Sequence, residues 1–302
     1  MIRSFLFVIF SFLFSCHVAA QPQELWATGT ALPDGPCQLV LRPDGKFRFA
    51  GALAEGELQL MTTATYQEGV TQFLAPKLVD SYLINYGLAY TLTTDLHSAG
   101  WVVPFSENTY RFIVDTAGRT VRGELFLPWN ELLIAGSAFP SGSDNVEWKR
   151  DNMQSFTRDH EDPYVFEWTG ELGIYDNVVE PGNFKLEGQM EWGPRELHPY
   201  QNGEDILTST QLRTGGSDTK WQVKTPGTYR LRVNLFTETI QAELLSASTR
   251  PTQQPTAIQT TNDTPAAAVQ IYDLQGTVHQ HLTHGLNIVR QPDGTIRKVL
   301  VK

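Results

Sequence analysis

The feature that most constrains this chain is that part of it is written twice. Glu24-Leu25-Trp26-Ala27-Thr28-Gly29-Thr30-Ala31-Leu32-Pro33-Asp34-Gly35 returns as Glu131-Leu132-Leu133-Ile134-Ala135-Gly136-Ser137-Ala138-Phe139-Pro140-Ser141-Gly142. Phe47-Arg48-Phe49-Ala50-Gly51-Ala52-Leu53 returns as Phe166-Glu167-Trp168-Thr169-Gly170-Glu171-Leu172, and Gly56-Glu57-Leu58-Gln59-Leu60 as Gly182-Asn183-Phe184-Lys185-Leu186. Trp101-Val102-Val103 and Tyr110-Arg111-Phe112-Ile113-Val114 then return as Trp221-Gln222-Val223 and Tyr229-Arg230-Leu231-Arg232-Val233. The order is the same both times and the copies are domain-sized, so the pattern is a duplicated domain and not a solenoid of short units.

Each copy reads as short strands. Residues 46–50 and 228–233 alternate polar and apolar, the period of a half-buried strand. Pro43-Asp44-Gly45, Glu180-Pro181-Gly182 and Pro226-Gly227 punctuate the runs as turns. No segment holds a helical period over three turns. The expected fold is all-β: two tandem immunoglobulin-like β-sandwiches and a small β-rich tail. Tyr110 and Tyr229, each after a short turn, are expected in the core or at a corner. Trp26, Trp101, Trp168 and Trp221 lie within strand patterns and are expected in the cores. Trp129 sits at the junction between copies.

The ends differ from the middle. Arg3 followed by an apolar run to Phe14 has the form of a secretory signal, with Val18-Ala19-Ala20 as the cleavage site. Leu13-Phe14-Ser15-Cys16 outlines a competing lipoprotein box, but Phe14 is bulky for that motif. Residues 246–268 are rich in Thr, Gln, Pro and Ala, too poor in apolar side chains to fold alone, and read as a flexible linker. Residues 269–302 regain strand pattern, with Pro292-Asp293-Gly294 as a turn. The expected organisation is therefore a signal peptide over 1–20, repeats over 21–128 and 129–245, a linker over 246–268 and a tail over 269–302.

Composition excludes several functions. A net charge of −10 suits neither nucleic-acid backbones nor anionic lipid surfaces. Two cysteines in 302 residues allow no disulfide framework once Cys16 leaves with the signal, and no cysteine metal site. No GxSxG elbow, HExxH helix or phosphate loop is present. Asp159, Glu161 and Asp162 crowd a turn, where adjacency alone does not make a glycosidase pair. His279 and His281 share a strand face, but no neighbouring carboxylate or cysteine completes a metal set. No cofactor, metal or catalytic residue is expected.

The paired segments resemble the SusE/SusF family of outer-membrane glycan-binding proteins of Bacteroidetes. The likeness is best in the second copy, from Gly136 through Asp162-Pro163-Tyr164-Val165-Phe166-Glu167-Trp168-Thr169-Gly170-Glu171-Leu172 to Gly182-Asn183-Phe184-Lys185-Leu186, Trp192 and Pro226-Gly227-Thr228-Tyr229. The resemblance implies non-catalytic binding of starch or a related polysaccharide at the outer cell surface, with glycan-uptake proteins as partners. It maps Lys185 and Trp192 onto ligand-contacting positions. Arg195, Tyr200 and Asn202 follow on the loop after that strand, and Trp148 could replace the family's tryptophan after the first Gly-rich turn, where this chain has Ser143. Those six residues are the expected carbohydrate site, with aromatic faces for the sugar's C–H side and polar groups for its hydroxyls. The first copy has Pro36 and Gln59 at the matching places and is expected to be scaffold. The alternative is an exported interaction protein whose sandwiches no longer bind glycan. Tyr272-Asp273-Leu274-Gln275-Gly276, Gly285-Leu286-Asn287-Ile288-Val289 and Lys298-Val299-Leu300-Val301-Lys302 resemble a type IX secretion sorting signal, which implies export past the outer membrane and surface attachment.

Overall fold

A computed structural model describes residues 21–83, 86–138, 148–175, 179–248, 270–273, 278–279, 281–291 and 295–301. The signal segment with Cys16, the 139–142 part of the repeated turn, the linker from 249 onward and the 292–294 turn lie outside the described residues. Those of 21–248 form one compact unit and those of 270–301 a second.

The fold is all-β. One short 3-10 turn, Arg150–Asn152, is the exception among the described residues. In the first repeat the sheet runs in the order Cys37–Gln38, Trp26–Thr28, Gly56–Met61, Phe73–Pro76, Leu88–Thr93, Thr120–Leu125, Glu107–Asp115, Phe47–Leu53 and Val40–Leu41. Trp101–Val103 also pairs with Gly56–Met61. The second repeat has two sheets. One joins Gln154–Ser155, Leu133–Gly136, Asn183–Glu187, Glu196–His198 and Arg213–Thr214, with Trp221–Gln222 against Asn183–Glu187 and Glu204–Asp205 beside it. The other joins Thr157–Arg158, Val165–Leu172, Gly227–Asn234 and Thr239–Ala247.

Alternation decides which side chains meet. Phe184 and Leu186 of Asn183–Glu187 point into one core with Trp221, Tyr229, Leu231 and Val233. Leu58, Leu60, Trp101, Tyr110, Phe112 and Val114 fill a second, separate core. Phe126 packs in the core of the later residues, while Leu125 packs against the earlier one. We propose that each core is one domain, which moves the change of domain slightly ahead of the expected 128/129 boundary.

The repeated glycines have a geometric cause. A Cβ on Gly29, at φ +108°, would stand 2.3 Å from the Glu57 carbonyl oxygen. A Cβ on Gly136 would stand 2.3 Å from that of Asn183. In both copies the strand crosses its partner's backbone too closely for any side chain.

Trp101, Trp221, Tyr110 and Tyr229 are fully buried and Trp168 nearly so, as expected. The buried indoles are satisfied: Trp101 Nε1 donates to Leu74 O at 3.1 Å and Trp221 Nε1 to Ser209 Oγ at 2.9 Å. Tyr110 donates its hydroxyl to Phe105 O at 2.9 Å, and Tyr229 donates to Thr225 O. Both are corner tyrosines that tie a strand to the turn before it. Trp26 departs from expectation. Period two turns its neighbour Ala27 inward and leaves Trp26 half-buried, with Nε1 donating to Glu24 Oε2 at 3.0 Å. Trp129 packs against the later core and lies over Gly188.

The second unit is one antiparallel sheet in the order Val278–His279, Gln270–Tyr272, Gly285–Arg290, Ile296–Val301. The sequence pattern marks three strands there, over 269–276, 285–290 and 297–302, and Val278–His279 is the addition. Asn287 is buried and uses its whole amide: Nδ2 donates to Thr283 O and Gly285 O, and Oδ1 accepts from Thr283 N and Oγ1.

Candidate functional site

The candidate site lies on the face of the second repeat's larger sheet that turns away from its core. Because Phe184 and Leu186 point inward, Lys185 and Glu187 point outward. Register sets Glu196 opposite Glu187, and Leu197, opposite Leu186, again faces the core. Glu196 and His198 therefore share the outer face with Lys185.

Lys185 is buried and holds three carboxylates. Its Nζ stands 2.7 Å from Glu196 Oε1, 3.1 Å from Glu187 Oε1 and 3.4 Å from Asp218 Oδ1. Above it, the ammonium lies 5.2 Å from the ring centre of Trp192, which is 43% exposed. Asp218 also reaches Lys220 Nζ at 3.1 Å, and that second ammonium lies 5.3 Å from the ring centre of Trp148. A continuous string results: Trp148, Lys220, Asp218, Lys185, Trp192. An ion pair from Arg150 to Glu191 ties the segments that carry the two tryptophans.

Burial redistributes charge here. Desolvation pushes Glu187 up to about 7, because it outweighs the attraction of Lys185. Burial works upward on Glu196 and Asp218 as well, but the lysines overcome it and both carboxyls stay below their ordinary values. Lys185 is held above its usual value, since its carboxylate partners outweigh its own desolvation. Burial, followed by the nearby Lys185 charge, lowers His198, whose Nδ1 lies 2.9 Å from Thr219 O. Three acids thus share the ammoniums, and Glu187 is the one that takes a proton near neutrality.

Of the six expected residues, Lys185, Trp192 and Trp148 belong to this string. Trp148 is half-buried against Leu133, Ala135 and Met153, and its Nε1, closed to solvent, has no hydrogen-bond partner among the described residues. Arg195 is exposed beside Gly188, on the hairpin that carries Trp192. Asn202 is spent locally, with Oδ1 accepting from Lys220 N at 3.0 Å. Tyr200 turns elsewhere, toward Arg48 of the first repeat at 5.9 Å, and desolvation pushes its hydroxyl up to about 12. The sequence pattern missed Glu187, Glu196, His198, Asp218 and Lys220. Glu187 was within its reach, since it shares the period-two face of Lys185. Lys220 arrives only through the pairing of Trp221–Gln222 with Asn183–Glu187.

The carboxylate-rich turn is structural. Asp159 Oδ1 accepts from Glu161 N and Asp162 N, and these bonds hold its carboxyl below the usual range. In the tail, Asp273 supplies the carboxylate that the sequence pattern did not find beside His279, at 2.9 Å. No group of metal-binding side chains assembles among the described residues.

Among solved structures, the crystal structure of SusF from Bacteroides thetaiotaomicron is similar at a TM-score of 0.33 and 11% identity, over 93% of this chain and 73% of that one. No family model and no curated protein matches the chain. A likeness that faint carries no argument, so the site stands on its own chemistry.

Proposed function

We propose that the chain is a non-catalytic glycan-binding protein whose binding face is the Trp148–Lys220–Asp218–Lys185–Trp192 string. The observation that carries this reading is the exposed indole of Trp192 seated over a buried, ion-paired ammonium. An aromatic ring held rigidly at the surface offers a flat face to the C–H side of a sugar. Asp218 and Arg195, both exposed, supply an acceptor and donors for its hydroxyls. The sequence resemblance of Lys185 and Trp192 to ligand positions of SusE/SusF proteins supports the same face, with starch or a related polysaccharide as ligand. Export and a place at the outer surface, beside glycan-uptake partners, rest on the signal-like start and the sorting-signal-like tail.

A second reading has one observation in its favour. Lys185 already satisfies three carboxylates, as a purely structural ion-pair centre would. Affinity electrophoresis against a panel of neutral polysaccharides separates the two. The glycan reading expects retardation by at least one polysaccharide and its loss, by tenfold or more, in Trp192→Ala. If no member of the panel retards the intact protein, the interaction reading stands. Release of reducing ends from any of them would make the protein an enzyme.

A further inference from the structure

A cavity of about 410 Å3 lies where the second repeat's 235–239 turn rests on the first repeat's outer sheet face. Its floor comes from three neighbouring strands. Arg48, Ile113 and Arg122 form one cross-strand row, and Ala50, Arg111 and Glu124 the next. Arg48 and Arg122 thus flank Ile113, and Arg111 lies diagonal to both in the next row.

Some of this charge holds the repeats together. Arg48 pairs with Asp44 at 2.8 Å and with Glu238 at 3.0 Å. Arg111 pairs with Glu124 and donates to Leu235 O at 3.1 Å. Two arginines remain without a carboxylate among the described residues. Arg42 is only 8% exposed, yet its one partner is the neutral carbonyl of Thr237 at 2.7 Å, and its Nε has none. Arg122 is exposed and has no polar partner among the described residues. Both line the cavity. A buried charge without a counter-charge is costly, and a protein of net charge −10 has acidic side chains in excess to place there. Thr210, Thr237 and Thr239 add hydroxyls to the lining.

We infer that this inter-repeat cavity is a second binding site, for a small hydroxylated carboxylate such as a uronic acid. The carboxylate answers Arg42 and Arg122, for which guanidinium–carboxylate pairing is geometrically well suited. Ring hydroxyls exchange bonds with the threonines of the lining. The volume falls at the small end of the roughly 300–1,000 Å3 of small-molecule pockets, which suits one or two sugar rings. The site is independent of the Trp192 face and does not need it to function.

Isothermal titration of the full chain with D-glucuronate tests the inference, with glucose and acetate as the uncharged and the hydroxyl-free controls. Saturable glucuronate binding is expected, at least tenfold stronger than either control. Arg122→Ala, an exposed change that leaves the seam intact, should weaken it at least tenfold. Trp192→Ala should leave it unchanged, which separates this site from the glycan face. Absence of saturable glucuronate binding, equal binding of acetate, or wild-type affinity in Arg122→Ala would each overturn the assignment.

Discussion

The two repeats share a frame and differ on one face. Gly29 and Gly136 stand at the same crossing, and Trp101 and Trp221 at the same buried station. Gly51 and Gly170 lie under an aromatic ring two residues earlier, Phe49 in one copy and Trp168 in the other. Register also equates Gln59 with Lys185, through Thr28 and Ala135, and Met61 with Glu187, through Trp26 and Leu133. There the likeness stops. The first repeat carries Trp26, Gln59 and Met61, and Gln59 merely donates to Glu57 at 3.1 Å. The second carries an ammonium with three carboxylates. Positions that backbone approach and core volume demand have stayed alike, while the outward face has been free to take on chemistry in one copy alone.

The comparison can be broken most forcefully in the cores. Trp101→Ala and Trp221→Ala should each cost about 3–5 kcal/mol, the range for emptying a buried tryptophan. Urea unfolding should show similar losses for both; a loss confined to one would mean that the copies do not share a core plan. The next effect belongs to the divergent face. Lys185→Met should cost about 3 kcal/mol at pH 8, because it strands buried carboxylates, while Gln59→Met should stay within about 0.5 kcal/mol.

The pH profile sharpens the same contrast. Burial pushes the Glu187 carboxyl from its ordinary 4.5 up to about 7, so the folded state binds the extra proton between those limits. Its contribution to stability is therefore greatest below about 4.5 and is lost as pH rises through 7. Glu196 and Asp218, with lowered values, act oppositely and only as pH falls through the acidic range. Glu187→Gln should gain stability relative to wild type from pH 5 to pH 8, read as urea midpoints; Met61→Gln in the first repeat should show no such slope. Smallest of all, Trp192→Ala should change stability by less than about 1 kcal/mol, since it loses one half-exposed cation–π contact. A larger loss in the melting curve would make Trp192 a packing residue instead of a surface platform.

Much of the frame is legible in particular residues. Alternation at 46–50 and 228–233 marks strands whose inward residues do fill the cores. The Pro-Gly-x-Tyr order before Tyr229 marks a corner. Trp26 shows where such reading slips: a tryptophan in a strand pattern invites a core placement, but the phase belongs to Ala27. The site was legible in part for the same reason. Lys185 and Glu187 share a face by period two within one strand, whereas Asp218 and Lys220 reach them from a distant segment.

What the sequence determined by itself, then, is the duplicated all-β frame, because local alternation, turn residues and close-packed glycines act within a few residues of one another. Which charges meet was decided only by the tertiary structure. Strand register across long loops brings Asp218 to Lys185, and the docking of the 235–239 turn on the first repeat brings Glu238 to Arg48 while leaving Arg42 and Arg122 without a carboxylate among the described residues. Those encounters join residues far apart in the chain, and no period written along it specifies them.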